Sequence, residues 1–148
     1  MDFRQITREK ERFMELLLLA DEQESMVMKY LERGDMYAAY DGGSVCAVCV
    51  VTGEDGGVLE IKNLAVEPQH QGKGIGRAFI RFIRERYRGR AEVLRVGTGD
   101  SPATLPFYEK CGFSRAFVIP GFFTDNYDHP IIDGGVILRD MIVLEMKL

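Results

Sequence analysis

What the chain has little of narrows the reading first. Only three of its 148 residues are cysteine, Cys46, Cys49 and Cys111. Cys46 and Cys49 form a CxxC, but a metal or redox site of that type needs a second ligand pair, and none exists. Both lie in the apolar run "SVCAVCVV", where a strand spacing of three places them on opposite faces. They read as buried, reduced thiols, so no metal site and a reducing, cytoplasmic compartment are expected. Positive charge is not in excess either. A net charge of −4 argues against a nucleic-acid partner, whose usual footprint is a basic face. Long hydrophobic runs are missing too. "LLLLA", Leu16 to Ala20, is too short to span a bilayer and follows the mixed-charge run "REKER", so no membrane or targeting segment is expected. Nor do repeats, low-complexity stretches or linkers divide the chain, and residues 1–148 read as one domain.

What is present alternates between the two periods of secondary structure. "FRQI" reads as an opening strand, and Thr7 as the cap of a helix running to about Ala20. A second helix follows from about Glu24 to Glu32, stopped by Gly34. "MYAAYDGGSVCAVCVVTGEDGGVLEIKNLAV" reads as three strands joined by short glycine turns, which favours an antiparallel meander. Next, Ile75, Phe79, Phe82, Ile83 and Tyr87 recur at helical spacing while Arg77, Arg81, Arg84 and Arg88 fall mainly elsewhere, and Gly89 ends that helix. "AEVLRVGT" is a strand, and Ser101–Pro102 opens a helix to about Cys111. "GFSRAFVI" and "GVILRDMIVLEMKL" are closing strands, joined by the polar, aromatic loop "PGFFTDNYDHPIIDG". The order predicts an α/β (α+β) domain with a mostly antiparallel sheet of about seven strands and about four helices. An exposed C-terminal strand would offer an edge for a homodimer.

The most informative stretch is "EIKNLAVEPQHQGKGIGRAFI", where the best strand meets the best helix across Gly72, Gly74 and Gly76. A helix N-terminus carries amides without partners and the positive end of the dipole, so it suits an anion. Glycines let a phosphate reach the backbone, and Lys73 and Arg77 add positive charge. A diphosphate fits these features better than a carboxylate. The string is neither GxxxxGK[ST] nor GxGxxG, which sets aside a P-loop and a dinucleotide-binding turn.

"QHQGKGIGR" contains the [RQ]xxGx[GA] signature of the GNAT superfamily of acetyl-CoA-dependent N-acetyltransferases, as Gln71, Gly74 and Gly76. "FYEKCGF", Phe107 to Phe113, is similar to that family's second conserved element, and the order of elements resembles its fold over nearly the whole chain. The resemblance implies a mixed sheet and acetyl-CoA as cosubstrate. It implies that amides of Gln71, Gly72, Lys73, Gly74, Ile75, Gly76 and Arg77 hold the pyrophosphate, and that the strand edge at Leu64, Ala65 and Val66 pairs with the pantetheine arm. An amide there, of Ala65 or Val66, would polarise the thioester carbonyl.

Acetyl transfer to an amine needs a neutral amine, a donor to the carbonyl oxygen and a proton for the departing thiolate. Tyr108 stands where the family's general-acid tyrosine stands. Glu60 is the candidate base, acting through a water; without a bulge it shares a strand face with Leu64 and Val66. Asp128 and His129 are the runners-up. The family's frequent asparagine before the tyrosine is replaced by Ser101, a candidate cofactor contact that also suits a helix cap. Glu22, Glu24, Glu32, Asp125, Asp128 and Asp133, with Phe122, Phe123 and Tyr127, suggest a cationic acceptor. The expected acceptor is a small amine or polyamine. A protein or peptide amine is the alternative, as is a non-catalytic acetyl-CoA-binding sensor.

Overall fold

The computed structural model describes residues 1–148. Seven strands form one sheet: β1 (Asp2–Ile6), β2 (Asp35–Asp41), β3 (Ser44–Glu54), β4 (Val58–Val66), β5 (Val93–Gly99), β6 (Ser114–Ile119) and β9 (Met141–Lys147). Their spatial order is β1-β2-β3-β4-β5-β9-β6, and every pairing is antiparallel except β4 with β5. The helices are α1 (Met14–Leu17), α2 (Glu24–Met28), α3 (Ile75–Tyr87), α4 (Leu105–Lys110) and α5 (Phe122–Asn126), and β7 (Ile132–Asp133) with β8 (Val136–Ile137) makes a small hairpin.

The sheet is covered on both faces. On one, α3 buries Ile75, Phe79, Ile80, Ile83 and Tyr87 against Tyr37, Val51, Leu94 and Leu144, and α4 adds Leu105 and Tyr108. Phe79 is 0% exposed, which alone contributes about 1.5–3 kcal/mol of burial free energy. On the other face α1 and α2 bring Leu17 and Val27, with Leu31 just beyond them, onto Met36, Val48 and Val50. A third cluster, Phe123, Ile131 and Leu138, lies under α5 and the hairpin.

Several expectations change in the structure. The first two helices are shorter than their sequence spans. A 3-10 turn at Lys10–Phe13 precedes α1, and Glu9, rather than Thr7, stands before it in a left-handed conformation that breaks the start of a continuous helix. Lys10 is 7% exposed, and its Nζ donates to the carbonyls of Leu31, Glu32 and Gly34 at 3.0, 3.3 and 2.8 Å, capping the turn after α2. Gly34 is a close approach rather than a left-handed stop: a Cβ there would lie 2.7 Å from Val50 Cγ1. The loop before the last strand holds α5 and the β7–β8 hairpin. β9 is interior, between β5 and β6, so the exposed edge is β6, with Phe117, Val118 and Ile119 on it, rather than the C-terminal strand. Cys46 and Cys49 do not face opposite ways. The register slips between Ala39 and Tyr40, leaving Cys46 as an extra residue, and both thiols join the α3-side core as free cysteines.

Candidate active site

One further slip shapes the functional end of the sheet. Val50 pairs with Asn63 and Val51 with Ile61, so Lys62 is bulged out of β4. Before the bulge Leu59 and Ile61 face α3; beyond it Leu64 and Val66 do, while Asn63 and Ala65 turn toward α1 and α2. Glu60 therefore does not share a face with Leu64 and Val66, as it would on an unbulged strand. Its carboxylate pairs with Lys62 Nζ at 2.6 Å.

The parallel β4–β5 ladder stops at Ile61 and Val96. Past that point the two strands splay, and the edge of β4 from Lys62 to Val66 lacks a partner on its β5 side. Gln71 Nε2 donates to the Val66 carbonyl at 3.0 Å, so that carbonyl points away from β3. Alternation along an extended strand then turns the Val66 and Leu64 amides into the fork and the Ala65 amide toward β3. Of the two amides expected to meet a thioester carbonyl, this geometry favours Val66.

Beyond the fork lies the glycine turn. Gly72 and Gly74 have φ of 77° and 82°, and nothing lies within 4 Å of where their Cβ atoms would be. Only glycine takes that conformation without strain, and the space in front stays open. The first amide of α3 to close a helical bond is that of Ala78, onto the Gly74 carbonyl at 3.0 Å, which leaves Ile75, Gly76 and Arg77 as free donors. Lys73 and Arg77 are exposed beside them. Gly76 has a different reason: a Cβ there would meet Phe107 Cζ at 3.0 Å, so the third glycine admits the α4 aromatic rather than a ligand.

Fork and turn open into a cleft of about 650 Å³, whose lining includes Glu60 through Val66, Gln71, Thr98, Thr104 and Tyr108. Tyr108 is 9% exposed, its ring held edge-on by Phe107 and Phe113 at centroid distances of 5.0 and 5.7 Å. Its hydroxyl bonds to no protein group, and burial, with the Cys49 and Cys111 thiols beside it, pushes the phenol above its ordinary value. It is protonated at neutral pH. Ser101 does not reach the cleft: its Oγ accepts from the Ala103 amide at 3.0 Å and donates to the Asp133 carbonyl at 3.4 Å. It caps the approach to α4, and the polar groups on the fork wall are instead Thr98 and Thr104, their hydroxyls 2.7 Å apart.

The far end of the cleft is built from the α1–α2 turn, Phe122, Phe123, Tyr127 and Asp133. Of the acidic residues expected there, Glu22 and Asp133 line it; Glu24, Glu32, Asp125 and Asp128 do not. His129 pairs with Asp128 at 2.6 Å in an exposed position outside this cleft. Asp21, Tyr30 and Asn63 line it unforeseen. Asp21 and Tyr30 look like helix-end residues and Asn63 like a strand interruption, so no local pattern marks them.

Comparison with known proteins decides what this arrangement is. The model of the acetyltransferase (GNAT) domain matches residues 32–115. The chain belongs to the GNAT acetyltransferase family. It is 36% identical over 136 residues to an uncharacterised N-acetyltransferase of Bacillus subtilis, YvbK, covering 90% of this chain and 88% of that one. Among solved structures it is similar to an IAA acetyltransferase from Bacillus cereus, with 39% identity, a TM-score of 0.90 and coverage of 99% and 100%. It is also similar to a GNAT family acetyltransferase from Elizabethkingia anophelis with acetyl-CoA bound, with 32% identity, a TM-score of 0.94 and coverage of 99% and 97%. This GNAT protein is accordingly an acetyl-CoA-dependent acyltransferase, and its open glycine turn and splayed strand edge fit that cosubstrate.

Proposed function

We propose that this enzyme transfers the acetyl group of acetyl-CoA to a primary amine of a small molecule by direct attack, with Tyr108 as proton donor. The observation that carries this is the unpaired edge of β4, which runs from the cleft wall toward free helix amides with Tyr108 in the same cleft. When bound, acetyl-CoA supplies the activated acetyl group. The amides of residues 72–77 hold its diphosphate, and the Val66 amide donates to a carbonyl oxygen laid along the edge. Glu60 takes the amine proton through a water, its carboxylate held by Lys62. As the C–N bond forms and the C–S bond breaks, the Tyr108 hydroxyl gives its proton to the leaving sulfur and regains one from solvent. Its raised value makes that transfer less favourable than from an ordinary phenol, so close contact with the sulfur is required.

A small acceptor is favoured over a peptide because the two walls are joined across the acceptor end. Tyr127 Oη donates to Asp21 at 2.6 Å, and the Asp128 amide donates to Gln23 Oε1 at 3.1 Å. The free thiols of Cys46, Cys49 and Cys111 support a reducing, cytoplasmic setting. The test combines coenzyme A calorimetry with free-thiol release from acetyl-CoA across an amine panel. Wild type is expected to bind coenzyme A and release thiol, and Tyr108→Phe to bind equally but turn over about 100-fold more slowly or worse. Binding without release for every amine would instead make it a sensor, and absence of binding would end the reading.

A further inference from the structure

The acceptor end of the cleft holds a carboxylate that this reaction scheme leaves unused. Asp21, half-buried in the turn between α1 and α2, accepts from Tyr127 Oη on Oδ1 at 2.6 Å and from Tyr30 Oη on Oδ2 at 3.0 Å. The direction of the Tyr30 bond is fixed by its other partner. Asn63 Nδ2 donates to Tyr30 Oη at 3.1 Å and to the Leu17 carbonyl at 2.9 Å, which leaves the phenol proton for Asp21. Burial, reinforced by the Asp21 charge, holds both phenols above their ordinary values, so they remain donors. Two O–H donors suit an ionised carboxylate, and Asp21 forms no salt bridge, although the charge of Lys29 in the same cleft reaches it. Burial raises its carboxyl above the ordinary value, and a half-buried carboxylate that is hydrogen-bonded but not ion-paired is a seat for a cation. Independently, Asn63 is 3% exposed, lines the same cleft, and its Oδ1 is buried without any partner. Buried carbonyl oxygens without a donor are rare, and this one offers a second acceptor for a ligand N–H.

We propose that Asp21, oriented by Tyr30 and Tyr127, is the acceptor-binding carboxylate of this enzyme and selects a compact monoamine with an apolar body. The proposal rests on the amine-transfer reading above. The preference for a monoamine is carried by the walls rather than by the charge balance of the lining. Asp21, Glu22, Glu60 and Asp133 are opposed there by Lys29, Arg33 and Lys62, but Lys62 pairs with Glu60 and Arg33 with Glu54. Lys29 alone is left to oppose the carboxylates of Asp21, Glu22 and Asp133. The walls between these charges are apolar, with two aromatic rings among them: Leu19, Met26, Phe122, Phe123 and Ile131. Phe123 stacks on Tyr127 with ring centroids 5.8 Å apart, so the phenol that orients Asp21 is continuous with the wall that would hold the acceptor's body.

Steady-state kinetics with acetyl-CoA test this, using 2-phenylethylamine and spermidine as acceptors and 2-phenylethanol as an uncharged competitor. Wild type is expected to favour 2-phenylethylamine over spermidine by about tenfold or more in kcat/KM. Asp21→Asn should raise the KM for 2-phenylethylamine about 10–100-fold, the loss of a charge-assisted hydrogen bond, with the acetyl-CoA KM and inhibition by 2-phenylethanol unchanged. Tyr127→Phe, which removes one orienting donor and no charge, should raise the amine KM several-fold, and it serves where Asp21→Asn fails to fold. Thiol release whose amine KM is indifferent to both variants would overturn the proposal and leave the transferase intact, as would a preference for spermidine. Coenzyme A binding without thiol release from any amine would overturn both.

Discussion

The two ends of the cleft are made in opposite ways. At the end proposed to hold the cofactor's diphosphate and arm, the free polar groups belong to the backbone of one continuous stretch, from the bulge at Lys62 to the first turn of α3. Side chains there mostly keep out of the way: Gly72 and Gly74 leave open space, and Gln71 only tethers the strand end. At the end proposed for the acceptor the polar groups are side chains, and Asp21, Tyr30, Asn63 and Tyr127 come from three separate stretches of the chain. A backbone site is general, because any diphosphate carrier meets the same amides. A side-chain site is particular, because changing one residue changes its ligand. That division suits an enzyme that keeps its acyl donor and varies its acceptor.

Each end can be broken without the other. The largest effect is expected at the turn: Gly74→Val forces a β-branched residue into a left-handed position, at a cost of about 1–3 kcal/mol. Calorimetry should show coenzyme A binding weakened about tenfold or more, while acceptor-end variants bind it normally. Asn63→Leu comes next. It removes the donors to Tyr30 Oη and the Leu17 carbonyl, and denaturant unfolding should show about 1–3 kcal/mol lost with coenzyme A affinity retained. The smallest effect is a pH dependence confined to the acceptor end. Burial raises the Asp21 carboxyl above its unfolded value, so in the window above about pH 4 the native state holds the extra proton. Its contribution to stability is present at acid pH and lost as pH rises through the shifted value. The stability of Asp21→Asn relative to wild type should therefore improve between pH 4 and pH 7. A gap that stays flat, measured by thermal melts across that range, would remove the buried charge from the account.

The same division explains what could be read in advance. The turn, the long helix and the seven-stranded sheet were legible because each is written in contiguous pattern: Gly72–Gly74–Gly76, the helical spacing of Ile75 to Tyr87, and alternating apolar runs. Tyr108 was legible because it travels inside a motif. Asp21, Tyr30 and Asn63 were not, since their meeting depends on the bulge at Lys62, and nothing in "EIKNLAV" marks an extra residue. That bulge also undid the placement of Glu60 beside Leu64 and Val66. Ser101 was half legible: its capping is there, while its side chain is buried off the cleft wall, with its hydroxyl on the Asp133 carbonyl. The short α5 and the β7–β8 hairpin were lost in a polar stretch too brief to show a period.

Phe107 fills the void left by the missing side chain at position 76, with Tyr108 as its immediate neighbour. The proposed phosphate cradle and the proposed proton donor thus lean on a shared steric joint. Among sequences of this kind, bulk at these two positions should trade off, one growing only where the other shrinks.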